Sequence, residues 1–211
     1  MKHFISSMTL QPFLNPVHYN NTESVPMLEN SMVTPFPALI PISNLAKGGE
    51  KIRVTTIITK DPDGRCAGYY NNYLEELERL AQENGFQFTA DIIEVDYSES
   101  SAKQLKLFED LICNITPDEE LIADVTYGNK PTPMVMLMAL SYAYRYIDNT
   151  SVKAVIYGEL DHTKKADRSK GEVQQGNIFD VSSLFYLNSV MTQLASLNPE
   201  DPLGFIKGII G

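Results

Sequence analysis

The stretch Glu119-Glu-Leu-Ile-Ala-Asp-Val-Thr-Tyr-Gly-Asn-Lys-Pro-Thr-Pro133 decides the fold. A short apolar strand, Leu121 to Val125, runs into a polar turn, Thr126 to Lys130, and the prolines at 131 and 133 open a long apolar helix. A strand that hands hydroxyls, a glycine and a lysine to a helix N-terminus builds a pocket for an anion. Exposed N–H groups and the helix dipole both favour negative charge there. Alternate side chains of a strand face opposite ways, so Asp124 and Thr126 share one face and Val125 and Tyr127 the other. Asp124 is expected to anchor the turn by accepting backbone N–H bonds, and Pro131 to open the helix. Thr126 donates to a ligand oxygen, Gly128 lets the backbone approach closely, and Lys130 supplies a point charge. The same residues also fit a plain hydrogen-bonded loop with Tyr127 half-buried. Met134 to Leu140 is apolar nearly all round, which predicts burial on two sides, the second being core or a two-fold partner.

Working outward, short β-branched runs alternate with apolar-periodic helices. Strands are predicted at Phe4–Thr9, Arg53–Thr59, Phe86–Val95, Leu121–Val125, Val152–Tyr157 and Asn177–Val181. Helices are predicted at Pro35–Ala46, Tyr69–Asn84 with Gly85 as its C-cap, Ser98–Cys113, Met134–Ile147 and Ser182–Leu197. This alternation predicts an α/β fold, a Rossmann-like doubly wound, mainly parallel sheet with helices on both faces. One domain over residues 1–197 and a short tail over 198–211 are expected. Residues 10–34, rich in proline, asparagine and serine, read as too polar for a core element. They leave the end of the first strand directly and are expected to close over the pocket as a lid.

The 211 residues are 43% hydrophobic and 21% charged, ordinary globular composition. No apolar run approaches the roughly 20 residues of a membrane helix, and the N-terminus makes a poor signal peptide, so a cytoplasmic protein without membrane contact is expected. A net charge of −10 without a basic stripe argues against long nucleic acid. The lysine-rich stretch His162 to Lys170 is interrupted by Asp167 and reads as a solvated loop. Two cysteines without a pairing motif read as reduced thiols, and three scattered histidines leave no metal site to nominate. GxGxxG, GxxxxGK[ST] and GxSxG are all missing, so no cofactor is implied, and dinucleotide, P-loop and serine-hydrolase chemistry fall behind a binding role.

Asp124-Val-Thr-Tyr-Gly128 followed by a proline and a long apolar helix, then Ala154-Val-Ile-Tyr-Gly158, then Asn177-Ile-Phe-Asp-Val-Ser182, resembles the CRISPR-associated DxTHG proteins. The element order matches over residues 1–197, and the sequence-specific part over 121–190. The resemblance implies a CARF domain, a Rossmann-like sensor that forms a homodimer and binds cyclic oligoadenylate across the two-fold axis in antiviral signalling. Tyr127 stands where the motif has histidine, so that histidine's role does not carry over. The family's usual C-terminal effector nuclease has no room in these 211 residues. By this resemblance the turn after the first strand, Ser7, Met8, Thr9, Gln11 and Phe13, lines the pocket beside Thr126, Tyr127, Gly128, Asn129 and Lys130. Phe13 or Tyr127 would stack an adenine, worth roughly 1–3 kcal/mol per base.

Two functions are expected from different classes. One is a homodimeric sensor of cyclic oligoadenylate, cyclic tetra-adenylate being the first choice. The other is a metal-independent ring nuclease that holds a ribose 2′-OH in line with its phosphate and leaves a 2′,3′-cyclic phosphate. Lys130 would then stabilise charge, and Thr9 or Ser7 would position the phosphate. An unrelated Rossmann-like nucleotide-binding protein is the further alternative.

Overall fold

The computed structural model describes the chain apart from residues 30–31, 162, 164–165, 167–171, 198–200 and 211. Most of the lysine-rich 162–170 stretch therefore lies outside the described residues. The strands β1 (Lys2–Ser7), β4 (Lys51–Lys60), β5 (Gln87–Asp96), β6 (Glu120–Asp124) and β7 (Ser151–Leu160) form a parallel sheet in the spatial order β7-β6-β1-β4-β5. The chain winds outward from β1 through β4 to β5, then returns to β6 on the other side of β1. That reversal is the doubly wound arrangement, and ligands of such sheets bind beyond the strand carboxyl ends at the reversal.

Helices α1 (Leu39–Leu45) and α2 (Arg65–Asn84) cover one face of the sheet. Helices α3 (Ser101–Asn114), α4 (Pro131–Tyr146) and α5 (Ser182–Leu197) cover the other. Strand parity sets this split: Phe4, Val54, Ile122 and Ile156 pack under α1 and α2, and Ile5, Ile57, Ala123 and Val155 under α3, α4 and α5. Helix α2 starts four residues before the expected Tyr69. The Asp61 carboxylate accepts the amides of Arg65 and Cys66 at 3.0 Å each, closing the first turn well ahead of the leucine periodicity. Helix α4 starts at Pro131, where a missing N–H is no loss.

The segment 10–34 overturns the expectation that it is too polar for a core element. It contributes β2 (Val17–Asn20) and β3 (Val33–Thr34), which extend the sheet past β8 (Gln174–Asp180). Strand β8 is antiparallel to β7, β2 is parallel to β8, and β3 is antiparallel to β2. Polar composition hid a core residue: Tyr19 is 1% exposed. Its ring lies where β7 and β8 carry Gly158 and Gly176, at each of which a Cβ would come within 3.0 Å of the ring. The expected tail contains a sixth helix, α6 (Pro202–Ile210). Among the described residues no helix is long and apolar enough to cross a membrane.

At the lower edge of the sheet a buried polar cluster ties β1, β4 and β6 together. His3 Nδ1 meets the Glu119 carboxylate at 2.8 Å and His3 Nε2 meets Thr55 Oγ1 at 2.7 Å. Arg53 reaches Glu119 at 3.3 Å and Asp91 at 2.7 Å.

Candidate functional site

The sheet reversal lies between β1 and β6, whose register pairs Ile5 with Ala123. Two residues on, the ends of both strands deliver Ser7 and Val125 to the same rim. Ser7 is 2% exposed, and its hydroxyl lies 3.0 Å from where a Cβ on Gly128 would stand. The first-strand turn and the Thr126–Lys130 turn are therefore in contact, 121 residues apart in sequence. Gly128 has φ +108°, and a Cβ there would also come within 2.8 Å of the Thr132 Cβ. Only glycine permits both the conformation and the close approach.

Asp124 is 4% exposed and shapes the turn. Its Oδ1 accepts the Thr126 amide at 2.9 Å. Burial is the largest influence on this carboxyl and carries it up to about 6, against the pull of the Thr126 hydroxyl and amide and the Ala38 amide. Tyr19, Tyr73 and Tyr127 surround it. Burial pushes all three phenols up, Tyr127 to about 12, and the Asp124 carboxylate adds to each shift.

The hydroxyl of Thr126 accepts the Gly158 amide at 2.7 Å, so it brackets β6 to β7 rather than pointing freely outward. Tyr127 is half-buried, and its phenol donates to the Pro35 carbonyl at 2.9 Å. Met8 is 2% exposed and packs into the core under α1 and α2. Thr9 is buried too, its hydroxyl accepting the Gln11 amide at 3.1 Å and its carbonyl accepting the Cys66 thiol at 3.3 Å. The Tyr69 phenol donates to the Gln11 carbonyl at 3.2 Å. Phe13 is 67% exposed on the same loop. Asn129 is partly exposed; Lys130 is exposed and makes no ion pair among the described residues.

The source of anion-binding donors differs from the sequence expectation. The first turn of α4 has few N–H groups to offer: Pro131 and Pro133 have none, and the Thr132 amide donates to the Asn129 carbonyl at 2.8 Å. The free donors belong instead to the turn. The amides of Tyr127, Gly128, Asn129 and Lys130 have no acceptor within the chain among the described residues. Four consecutive amides and one lysine, none with a partner among the described residues, are donors that an oxyanion can use. By contrast, the neighbouring N-terminus of α2 is already filled by the chain's own Asp61 carboxylate.

A small cavity of about 60 Å³ lies beneath the loop, between Thr9, Phe13, Tyr127 and Leu160. It has room for about two waters at roughly 30 Å³ each, far below the roughly 300–1,000 Å³ of a ligand pocket. Among the described residues no group of His, Cys, Asp and Glu side chains could hold a metal ion. The donors present suit phosphate oxygens held by amides. No family model matches this chain, and no curated protein matches it.

Proposed function

We propose that this protein binds a cyclic oligoadenylate across the two-fold axis of a homodimer. The observation that carries this reading is the meeting of Ser7 and Gly128 at the sheet reversal, beneath a run of unpartnered turn amides. A ring of phosphates offers oxyanions at regular spacing, and each copy contributes one nest and one Lys130. An acidic chain accepts such a ligand because neutral amides and a single lysine act locally. The rim of a single subunit is open and shallow, so a second copy supplies the missing wall. The exposed Phe13 ring is placed on the rim loop, where a base can stack on it.

The resemblance of Asp124-Val-Thr-Tyr-Gly128 to the DxTHG motif supplies the ligand's identity; the geometry supports only the phosphate-binding part. Incubation with cyclic tetra-adenylate, with products resolved by chromatography, tests the reading. Intact ligand retained at micromolar affinity or tighter is the expected result. Linear products ending in 2′,3′-cyclic phosphate, lost in Lys130→Ala, would instead assign a ring nuclease. Absence of binding to any ring size would leave an unrelated nucleotide-binding protein of this fold.

A further inference from the structure

Strand β5, Gln87-Phe-Thr-Ala-Asp-Ile-Ile-Glu-Val-Asp96, lies at the end of the sheet with β4 as its neighbour. The Gln87 amide donates to the Glu50 carbonyl at 2.8 Å, and the ladder runs on to Asp96 without a shift in register. In a parallel ladder, alternate residues of a strand bond to the same neighbour. Gln87, Thr89, Asp91, Ile93 and Val95 therefore turn their backbone groups to β4, and Phe88, Ala90, Ile92, Glu94 and Asp96 turn theirs outward. None of these outward amides has an acceptor among the described residues.

Proteins guard such edges with lysine, proline, a bulge or a bare charge, and β5 has none of these. Its sequence holds neither lysine nor proline, and its register is unbroken. Its three acids are paired within the chain: Asp91 with Arg53 at 2.7 Å, Glu94 with Lys60 at 2.9 Å, and Asp96 with Lys103. Ala90 is exposed, and Ile92 in the middle of the strand is 48% exposed. The chain itself offers no strand to complete this edge. Every described strand already has its place in the sheet, and α6 is a helix, which cannot extend a ladder. Residues 30–31, 198–200 and 211 are too few to lie along β5, and the stretch 162–171 is tied at both ends to β7 and β8, beyond β6, β1 and β4.

We propose that β5 pairs antiparallel with β5 of a second copy, about a two-fold axis perpendicular to the sheet, so that one sheet runs through both subunits. Such an axis keeps each face on its own side, and one residue of β5 then lies opposite its own copy. Like charges directly opposite are destabilising, so Asp91 and Glu94 are excluded from that place. With Ile92 on the axis, Ala90 faces Glu94 of the second copy, Asp91 faces Ile93, and Phe88 faces Asp96. No acid meets an acid, and every outward amide has a β5 residue opposite it. Any other centre leaves outward amides at one end of the strand without one. A strand of a different protein is the poorer occupant, because the paired acids leave no charge pattern to select it, whereas the exposed Ile92 meets its own copy. Antiparallel pairing turns the carboxyl ends of the two sheets in opposite directions, so this axis brings no two rims together. It is separate from the axis of the ligand reading and does not rest on it; the two axes together would close a tetramer.

Ile92→Cys in a full-length Cys113→Ser background should form a disulfide-linked dimer under mild oxidation, since opposed Cα atoms about 5.5 Å apart suit a disulfide. In the same background, Ala90→Cys and Glu94→Cys should crosslink when mixed and not when either is oxidised alone, which fixes the register. Ile92→Lys sets two lysines face to face at an exposed position. It should halve the native solution mass and leave the circular dichroism unchanged. Absence of the Ile92→Cys dimer, failure of the mixed crosslink, a crosslink of Ala90→Cys with itself, or a solution mass that Ile92→Lys leaves unchanged would each overturn the proposal. Cyclic tetra-adenylate titration of the native protein separates the two readings. Crosslinked β5 edges in a protein that ignores the ligand remove the sensor reading alone, and ligand binding without the crosslink removes the edge pairing alone.

Discussion

The phenol of Tyr127 donates to the carbonyl of Pro35 at 2.9 Å across 92 residues of sequence. It fastens the turn after β6 to the segment entering α1, beside the Tyr19 ring that docks β2 into the sheet. Tyr127→Phe keeps the ring and removes the donor, leaving the Pro35 carbonyl without that partner. A loss of roughly 1–3 kcal/mol is expected, read as a lowered urea midpoint with unchanged slope. A midpoint equal to wild type would show that the bond does not fasten the turn.

Gly128→Ala asks for a side chain at φ +108° and within 2.8 Å of Thr132. The cost of the backbone conformation alone is roughly 1–3 kcal/mol, and the close contact adds to it. Cyclic tetra-adenylate binding should fall at least tenfold even where thermal melting shows the domain still folded. Full binding in the folded variant would remove the turn amides from the site.

Lys130 is exposed and makes no ion pair among the described residues, so Lys130→Ala should leave the thermal midpoint within about 2 °C of wild type, as for surface changes generally. Affinity for the cyclic ligand should drop roughly tenfold or more and become less salt-dependent, since one phosphate contact per copy is lost. Isothermal titration at two salt concentrations decides it.

Two buried carboxylates make opposite contributions to acid stability. Burial raises Asp124 from 3.8 to about 6, so the folded protein holds a proton that the unfolded chain has already released. Stability therefore falls as pH rises from about 4 to about 6, and the loss is complete above that window. Asp124→Asn should abolish this slope in urea midpoints taken across the same range. An unchanged slope in the variant would place the titration elsewhere.

Burial opposes ionisation of Glu119, but the His3 hydrogen bond and charge and the Thr116 amide overcome it, bringing the carboxyl from 4.5 down to about 2. Its contribution is present above pH 4.5 and is lost as pH falls towards 2. Glu119→Gln leaves His3 and Arg53 facing a neutral amide, so roughly 3–5 kcal/mol should be lost at pH 7. A chemical-unfolding curve matching wild type would refute the coupling.

The order of the five parallel strands and of helices α1 to α5 could be read from the sequence alone. Val54, Ile57, Leu77, Leu80, Leu107 and Leu111 repeat with the periods that parallel strands and amphipathic helices require, and period is a local property. The turn at Thr126–Lys130 was legible for the same reason: its glycine and prolines act on their own backbone. Other features depended on residues far apart in sequence. The strand character of Val17–Asn20 depends on the space left by Gly158 and Gly176, which no local window contains. The commitment of the Thr126 hydroxyl to Gly158, the core position of Met8 and the pairing of His3 with Glu119 are likewise contacts over more than 30 residues. Sequence by itself determined which segments form the five parallel strands and helices α1 to α5, because backbone preference and amphipathic period act within a few residues. Tertiary structure alone decided which polar groups are spent holding strands together and which remain open at the rim, because hydrogen bonds and burial are settled between chain segments that meet only on folding.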